Sequence, residues 1–225
     1  MKERGTLFSG PMVRRLLDGS KTQTRRVIRP QPTFDRDRDQ WEWEGKRGIA
    51  RWGPAHHQPV LSALHYGLLP ECPYGVRGDR LWVRETWLSN ADLNAIYYQA
   101  DFQPRYGAWE WDDAPGHTVR VERWRPSIHM PRWASRIKLE LTGVRVERLQ
   151  EITEADAIAE GLESYDCDGV TYWGELNRGH CDPRYAFERL WNDLHPHRED
   201  RWLRAGTETT RSPWVWVLEL KRVTP

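Results

Sequence analysis

The sequence has few cysteines, little net charge and no long apolar run, and each shortage excludes a class of protein. The three cysteines, at positions 72, 167 and 181, are odd in number and have neither a disulfide nor a zinc spacing. We therefore predict free thiols, no metal and no cofactor. The formal net charge is only +1, so any nucleic-acid contact must come from a local basic surface. No apolar stretch is long enough to span a bilayer.

The N-terminal residues also lack a feature, the apolar core of a signal peptide. This absence predicts a cytoplasmic protein with no membrane partner. A chain of 225 residues can form one substantial core, and we predict a single domain over residues 1–225. The oligomeric state is not predicted.

Tryptophan, in contrast, is abundant, with 14 residues in the chain. Some tryptophans lie in periodic apolar segments and are expected in the core. Others lie among charges, where an indole can stack on a nucleic-acid base or pack a long loop onto the core. This second group comprises Trp41, Trp43, Trp52, Trp109 and Trp111.

A polar octapeptide, Gly19 to Arg26, directly follows a short amphipathic segment. Pro11 fits the first turn of a helix and Gly19 fits its C-terminal left-handed position. The apolar face of this predicted helix comprises Met12, Val13, Leu16 and Leu17. The octapeptide is therefore held at a helix exit, where we expect Lys21 to be exposed.

The octapeptide contains groups for two kinds of chemistry. Lys21 and Thr24 supply an amine and a hydroxyl suited to acyl transfer. Arg25 and Arg26 supply guanidiniums that can hold a phosphate through paired hydrogen bonds. A solvated basic loop with no such role is the alternative.

A Gly-Asp turn at Gly78 and Asp79 leads into a predicted strand. Its two-residue period assigns Leu81, Val83, Glu85 and Trp87 to one face, and Arg80, Trp82, Arg84 and Thr86 to the other. Glu85 thus shares a face with apolar side chains. A carboxylate in such a position is either paired or has a raised pKa, so Glu85 is a functional candidate or one half of a structural ion pair.

Further segments complete the predicted architecture. A strand from Ile137 to Leu149 changes parity at Gly143, which predicts a bulge. Thr153 and Asp182 are predicted helix N-caps, and the apolar strand from Trp214 is predicted to be central in a sheet.

The order of four segments resembles the ASCH family of PUA-like proteins. These segments are the G-x-K-x-x-T-x-R pattern from Gly19, the Gly-Asp strand, the short helix ending at Glu160-Gly161 and the closing strand. The resemblance implies an α+β fold, a small mixed β-barrel with about three helices. Relative to the smallest members, residues 31–75 and 88–125 resemble insertions. Chains of this longer layout resemble proteins common in phages and prophages.

Some small members of this family are amidohydrolases that deacetylate N4-acetylcytidine. The resemblance implies a catalytic set of Lys21, Thr24 and Glu85, with Glu85 placed by its strand alone. The other expected nucleic-acid or ligand contacts are Thr22, Arg25, Arg26, Trp82, Arg84, Trp87, His129, Arg132 and Arg136.

Several functions stay open at this point. The first is binding of RNA, single-stranded DNA or a modified nucleoside in a cleft that contains Lys21, Thr24 and Arg25. The second is hydrolysis of an N-acylated base, in which Thr24 attacks, Lys21 activates it and Glu85 transfers the proton. A nuclease that uses His129, Arg132 and Arg136, and a phage structural or host-interaction protein, are further alternatives.

Overall fold

The computed structural model describes residues 1–35, 37–38, 40–45, 48–52, 72–90, 95–102, 109–114, 117–121, 123–176, 178–195, 197, 200–202 and 213–223. Within these ranges the chain is mixed α+β, with three α-helices and several separate sheets. The helices are α1 (Gly10–Leu17), α2 (Glu154–Ala159) and α3 (Pro183–Leu194).

A five-stranded sheet forms the centre of the fold. Its strands are β1 (Glu3–Leu7), β2 (Gln23–Val27), β6 (Arg80–Arg84), β11 (Lys138–Arg148) and β14 (Trp214–Val223). The order across the sheet is β1-β6-β11-β14-β2, with β1 and β6 parallel and the other neighbours antiparallel. The central position predicted for the closing strand is confirmed.

The remaining strands form four small sheets, mostly within the two predicted insertions. A three-stranded sheet contains β3 (Thr33–Asp35), β4 (Gln40–Gly45) and β5 (Gly48–Trp52). Three hairpins pair β7 (Trp87–Asn90) with β8 (Ala95–Tyr98), β9 (Trp109–Ala114) with β10 (His117–Val121), and β12 (Ser164–Cys167) with β13 (Val170–Trp173).

Strand β1 was not predicted from the sequence, but the local signals at the helix ends and at the bulge of β11 are confirmed. Gly19 has a φ of +84° after α1, and the pairing of β11 with β14 shifts register next to Gly143. The Thr153 hydroxyl accepts a hydrogen bond from the Asp156 amide, and the Asp182 carboxylate accepts one from the Arg184 amide. Each of these contacts satisfies a backbone group that the turn or helix end leaves unpaired.

Both faces of the central sheet are covered, and alternate residues of β14 divide between two cores. Trp214, Trp216 and Leu218 face a core that includes Phe8, which lies between β1 and α1. Val215 and Val217 face a second core built with α2 and α3. Because both faces are dry, β14 is an almost continuous apolar strand.

None of the described sheets closes into a barrel, although the central sheet curves strongly enough to bring its two edges together. Arg26 on β2 donates a hydrogen bond from Nη2 to the Leu7 carbonyl of β1 (2.7 Å), and its guanidinium lies over the Phe8 ring at 5.2 Å. This side-chain contact joins the edges where a barrel would have a backbone ladder. Over the described residues, no helix combines the length and apolar composition that a membrane crossing requires.

Candidate functional site

The exit of α1 is fixed against the end of α2 by backbone contacts. The Lys21 amide donates to the Arg15 carbonyl (2.9 Å), and the Thr22 amide donates to the Ala159 carbonyl (2.9 Å). Gly161 follows α2 with a φ of +87°, and a Cβ at this position would lie 2.9 Å from the Lys21 Cβ. A glycine here therefore allows the octapeptide to pack directly on the helix end.

Lys21 is buried, contrary to the exposure expected from its polar surroundings. Its side chain is 0% exposed, and Nζ donates to Glu160 Oε2 (2.8 Å) and to the Glu160 carbonyl (2.6 Å). Burial lowers the pKa of the Lys21 amine below its usual value, although Glu160 opposes the shift by charge and hydrogen bond. An amine of this kind can exchange a proton with its neighbours more readily than a solvated lysine.

Glu160 connects Lys21 to Arg25, whose side chain is also 0% exposed. Arg25 Nη1 lies 3.2 Å from Glu160 Oε1, and Nη2 lies 2.5 Å from Glu147 Oε1. Asp156 Oδ2 lies 3.4 Å from the same Nη2. Together Lys21, Arg25, Glu147, Asp156 and Glu160 form what we call the Lys21–Glu160 cluster.

The phosphate contact predicted for Arg25 is not compatible with these bonds as they stand. Three carboxylates surround its guanidinium, so a phosphate would have to displace at least one of them. Arg26, in contrast, is half-buried on the other face of β2, and burial lowers the pKa of its guanidinium. Its positive charge also lowers the pKa of Lys21, so Lys21 is within electrostatic range of both faces of β2.

Thr24 lies on the same face of β2 as Arg26 and is 3% exposed. The nucleophile predicted from the motif is therefore buried. Thr22 has an exposed side chain, and its carbonyl accepts a hydrogen bond from the Leu220 amide (2.7 Å). The octapeptide therefore continues directly into the central sheet.

Glu85 pairs with Arg136 rather than with Lys21. It is 1% exposed and receives two hydrogen bonds from Arg136, Nε to Oε1 (2.9 Å) and Nη2 to Oε2 (3.0 Å). Arg136 also pairs with Asp101 (2.7 Å) and lies over the Tyr98 ring at 4.0 Å. Burial raises the pKa of Glu85, and Arg136 opposes the shift. No contact in the described structure joins Glu85 to Lys21.

The other predicted contacts fall into two groups. Trp87 is 2% exposed and packs in a small core with Met130 and Ala134. The remaining five lie on β6 or between residues 129 and 136, far in sequence from the octapeptide: Trp82, Arg84, His129, Arg132 and Arg136. They are not joined by any described contact to the Lys21–Glu160 cluster.

Trp43, one of the tryptophans that lie among charged residues in the sequence, is buried. Trp43 is 2% exposed, and its ring centre lies 5.6 Å from that of Trp216 in the core. It is therefore a packing residue in this structure. The side chains of Trp41, Trp52, Trp109 and Trp111 lie outside the described part.

A cavity of about 510 Å³ borders Glu160 on the side of α1 and α3. Met12, Leu162 and Leu190 give it apolar walls, and Arg15 and Arg189 give it charged ones. Its volume is within the range of small-molecule sites. No group of three or more His, Cys, Asp or Glu side chains in the described residues is placed to hold a metal ion.

The carboxylate that pairs with Lys21 was missed by the sequence reasoning. Glu160 stands in the Glu-Gly pair that ends α2, but this pair was used only as a helix-end signal. The signal that would have found it is the burial of Lys21, because a buried amine requires a carboxylate partner.

Comparison of the chain with protein-family models, with curated proteins and with solved structures gives no match.

Proposed function

We propose that this protein is an ASCH-like amidohydrolase that removes an acyl group from a modified nucleobase, and that the Lys21–Glu160 cluster is its active centre. The observation that carries the proposal is the fully buried contact between the Lys21 amine and the Glu160 carboxylate. Such a pair can move one proton between two positions in a water-excluded site. The PUA-like barrel belongs to this proposal and is supported by the approach of the edge strands β1 and β2.

In the proposed reaction the Thr24 hydroxyl attacks the acyl carbonyl carbon. Thr24 and Arg25 lie on opposite faces of β2, so the proton of the hydroxyl passes to the neutral amine of Lys21 through one water. The C–N bond then breaks, and the proton is passed through Glu160 to the leaving nitrogen of the base. Water hydrolyses the resulting ester on Thr24 and returns a proton to its oxygen. The net reaction consumes one water and releases a carboxylic acid and the free base amine.

The lowered pKa of Lys21 supports this role, because it increases the fraction of neutral amine near neutral pH. The choice of Glu160 over Glu85 is supported by their partners. Glu160 contacts Lys21 directly, whereas Glu85 is held by two hydrogen bonds from Arg136.

The test is the release of cytidine from N4-acetylcytidine by the purified protein, measured by chromatography. We expect turnover by the wild type and a loss of about 100-fold or more in Lys21→Met and Glu160→Gln, the scale of general acid–base catalysis. The matched control is Glu163→Gln, which makes the same change three residues away at a side chain that is 50% exposed.

Two results would contradict the proposal. Unchanged turnover in Glu160→Gln together with loss in Glu85→Gln would return the carboxylate role to Glu85. Full turnover in Lys21→Met, with the fold intact by circular dichroism, would remove the cluster from the reaction.

Binding of a modified nucleoside without turnover is the second proposal for this site. It is favoured by the double pairing of Glu160 with Lys21 and Arg25, which fixes the carboxylate as a stable ion pair. It predicts saturable binding of N4-acetylcytidine by calorimetry, with no cytidine released at any enzyme concentration.

A further inference from the structure

Residues 123–138 form a strongly basic segment of the described chain. It contains Arg123, Arg125, Arg132, Arg136 and Lys138 and no aspartate or glutamate, while the whole chain has a net charge of +1. Arg136 is occupied by Glu85 and Asp101. The other four cations give the protein the local basic surface that its overall charge does not provide.

The backbone of this segment is held rigidly against β6 and β8. Two 3₁₀ turns, Ser127–His129 and Arg132–Ala134, present the exposed side chains. The Ser135 hydroxyl donates to the Val83 carbonyl (2.8 Å), and the Tyr98 hydroxyl donates to the Ala134 carbonyl (2.8 Å). A ligand at this surface would therefore meet a preformed arrangement and lose little conformational entropy.

Trp133 is the most exposed aromatic group of this segment. Its surface is 68% accessible, and it meets the buried Trp87 edge to face, with ring centres 5.8 Å apart at 90°. Arg125 lies over the Trp87 ring at 5.2 Å. The Trp133 indole is thus oriented by one contact, and most of its surface is available for stacking.

The outward side of β6 continues the basic surface. The Trp82 indole lies directly against Gly5, where an added Cβ would be 2.7 Å from the ring. The guanidiniums of Arg84 and Arg132 lie 5.4 and 5.9 Å from the centre of the Trp82 ring. Arg84 also donates to the Ile128 carbonyl, while its buried Nε has no hydrogen-bond partner within the described part of the chain.

Carboxylates on this side are fewer than cations. Glu3 pairs with Arg132 (2.9 Å), and its pKa is lowered mainly by that hydrogen bond, with contributions from Lys138 and Arg80. Glu140 stands opposite Arg80 in the pairing of β11 with β6. The described cations of β6 and segment 123–138, not counting Arg136, outnumber these two carboxylates: Arg80, Arg84, Arg123, Arg125, Arg132 and Lys138.

We propose that this outer-face patch, the outward side chains of β1 and β6 together with segment 123–138, binds single-stranded nucleic acid, with Trp133 stacked on one base and the surrounding cations on the phosphates. An exposed indole among arginines fits this ligand because each base offers a flat face and each phosphate one negative charge. The strand must be single, because a paired base does not expose its face. The patch uses different residues from the Lys21–Glu160 cluster, so each proposal can fail without the other.

The test is fluorescence anisotropy with fluorescein-labelled 12-mers of uridine RNA and thymidine DNA at several salt concentrations. We expect Trp133→Ala to weaken binding about 5- to 150-fold, the scale of one stacked base, and Trp133→Phe to retain most of the affinity. Arg125→Ala should reduce the salt slope by about 0.7.

The matched control for charge is Arg178→Ala. Its side chain is 58% exposed and lies in the loop after β13, outside the patch, so this variant should bind as the wild type does. Equal affinity of Trp133→Ala and the wild type would overturn the proposal, as would equal weakening by Arg178→Ala. A 12-bp duplex bound as tightly as the single strand would overturn the choice of strand, and a polyglutamate peptide bound with the same Trp133 dependence would overturn the choice of nucleic acid.

Discussion

Replacing Arg25 with methionine should destabilise the protein by about 3–5 kcal/mol, the cost of removing one partner from a buried ion pair. The side chain of Arg25 is fully buried, and its guanidinium contacts Glu147, Asp156 and Glu160. Methionine keeps much of the volume of the arginine stem beside Phe187 but leaves these carboxylates facing one another. The penalty therefore comes from unpaired buried charge.

Arg145→Met is the matched control because Arg145 pairs with two of the same carboxylates. Arg145 lies 3.1 Å from Glu147 and 3.4 Å from Asp156, but its side chain is 32% exposed. Solvent screens these pairs, so we expect a loss of about 1 kcal/mol. The difference between the two variants isolates the effect of burial on the same chemistry.

The assay is urea unfolding followed by tryptophan fluorescence, with the free energy of unfolding taken from linear extrapolation. The double variant Arg25→Met/Glu147→Gln should recover part of the lost free energy of unfolding, because it removes one of the carboxylates that Arg25→Met leaves unpaired. Equal losses in Arg25→Met and Arg145→Met would refute the reasoning.

Two further predictions concern packing and thiol chemistry. Gly161→Ala should destabilise the protein by about 1–3 kcal/mol, and by more than Gly169→Ala does. Both glycines have positive φ, but only at Gly161 would an added Cβ lie within 3.0 Å of Lys21 and Arg15. Thermal unfolding measures both variants, and equal melting temperatures would contradict the crowding argument. Burial raises the pKa of the Cys72 thiol to about 11, so iodoacetamide at pH 8 should alkylate the two exposed cysteines and leave Cys72 unmodified by mass spectrometry. Modification of all three at similar rates would show that Cys72 is accessible.

The sequence by itself determined most of the local structure around the site. Pro11 and Gly19 bound α1, Thr153 and Asp182 begin α2 and α3, and the alternation in β6 correctly assigned its buried face. These signals are reliable because a cap, a left-handed turn or a two-residue period acts between near neighbours in the chain. The same locality explains why the motif could nominate Lys21 and Thr24 but not their surroundings.

Only the tertiary structure decided which charges meet. Lys21 and Glu160 are 139 residues apart in the sequence, and Arg25 and Glu147 are 122 apart. Glu160 and Glu85 are both buried in the folded chain, so burial alone does not decide which of them pairs with Lys21. The packing of α2 on the octapeptide brings Glu160 to Lys21. The position of Arg136 next to the end of β6 brings it to Glu85. Burial then changes the chemistry, because a charge removed from water must find an opposite charge or lose its proton.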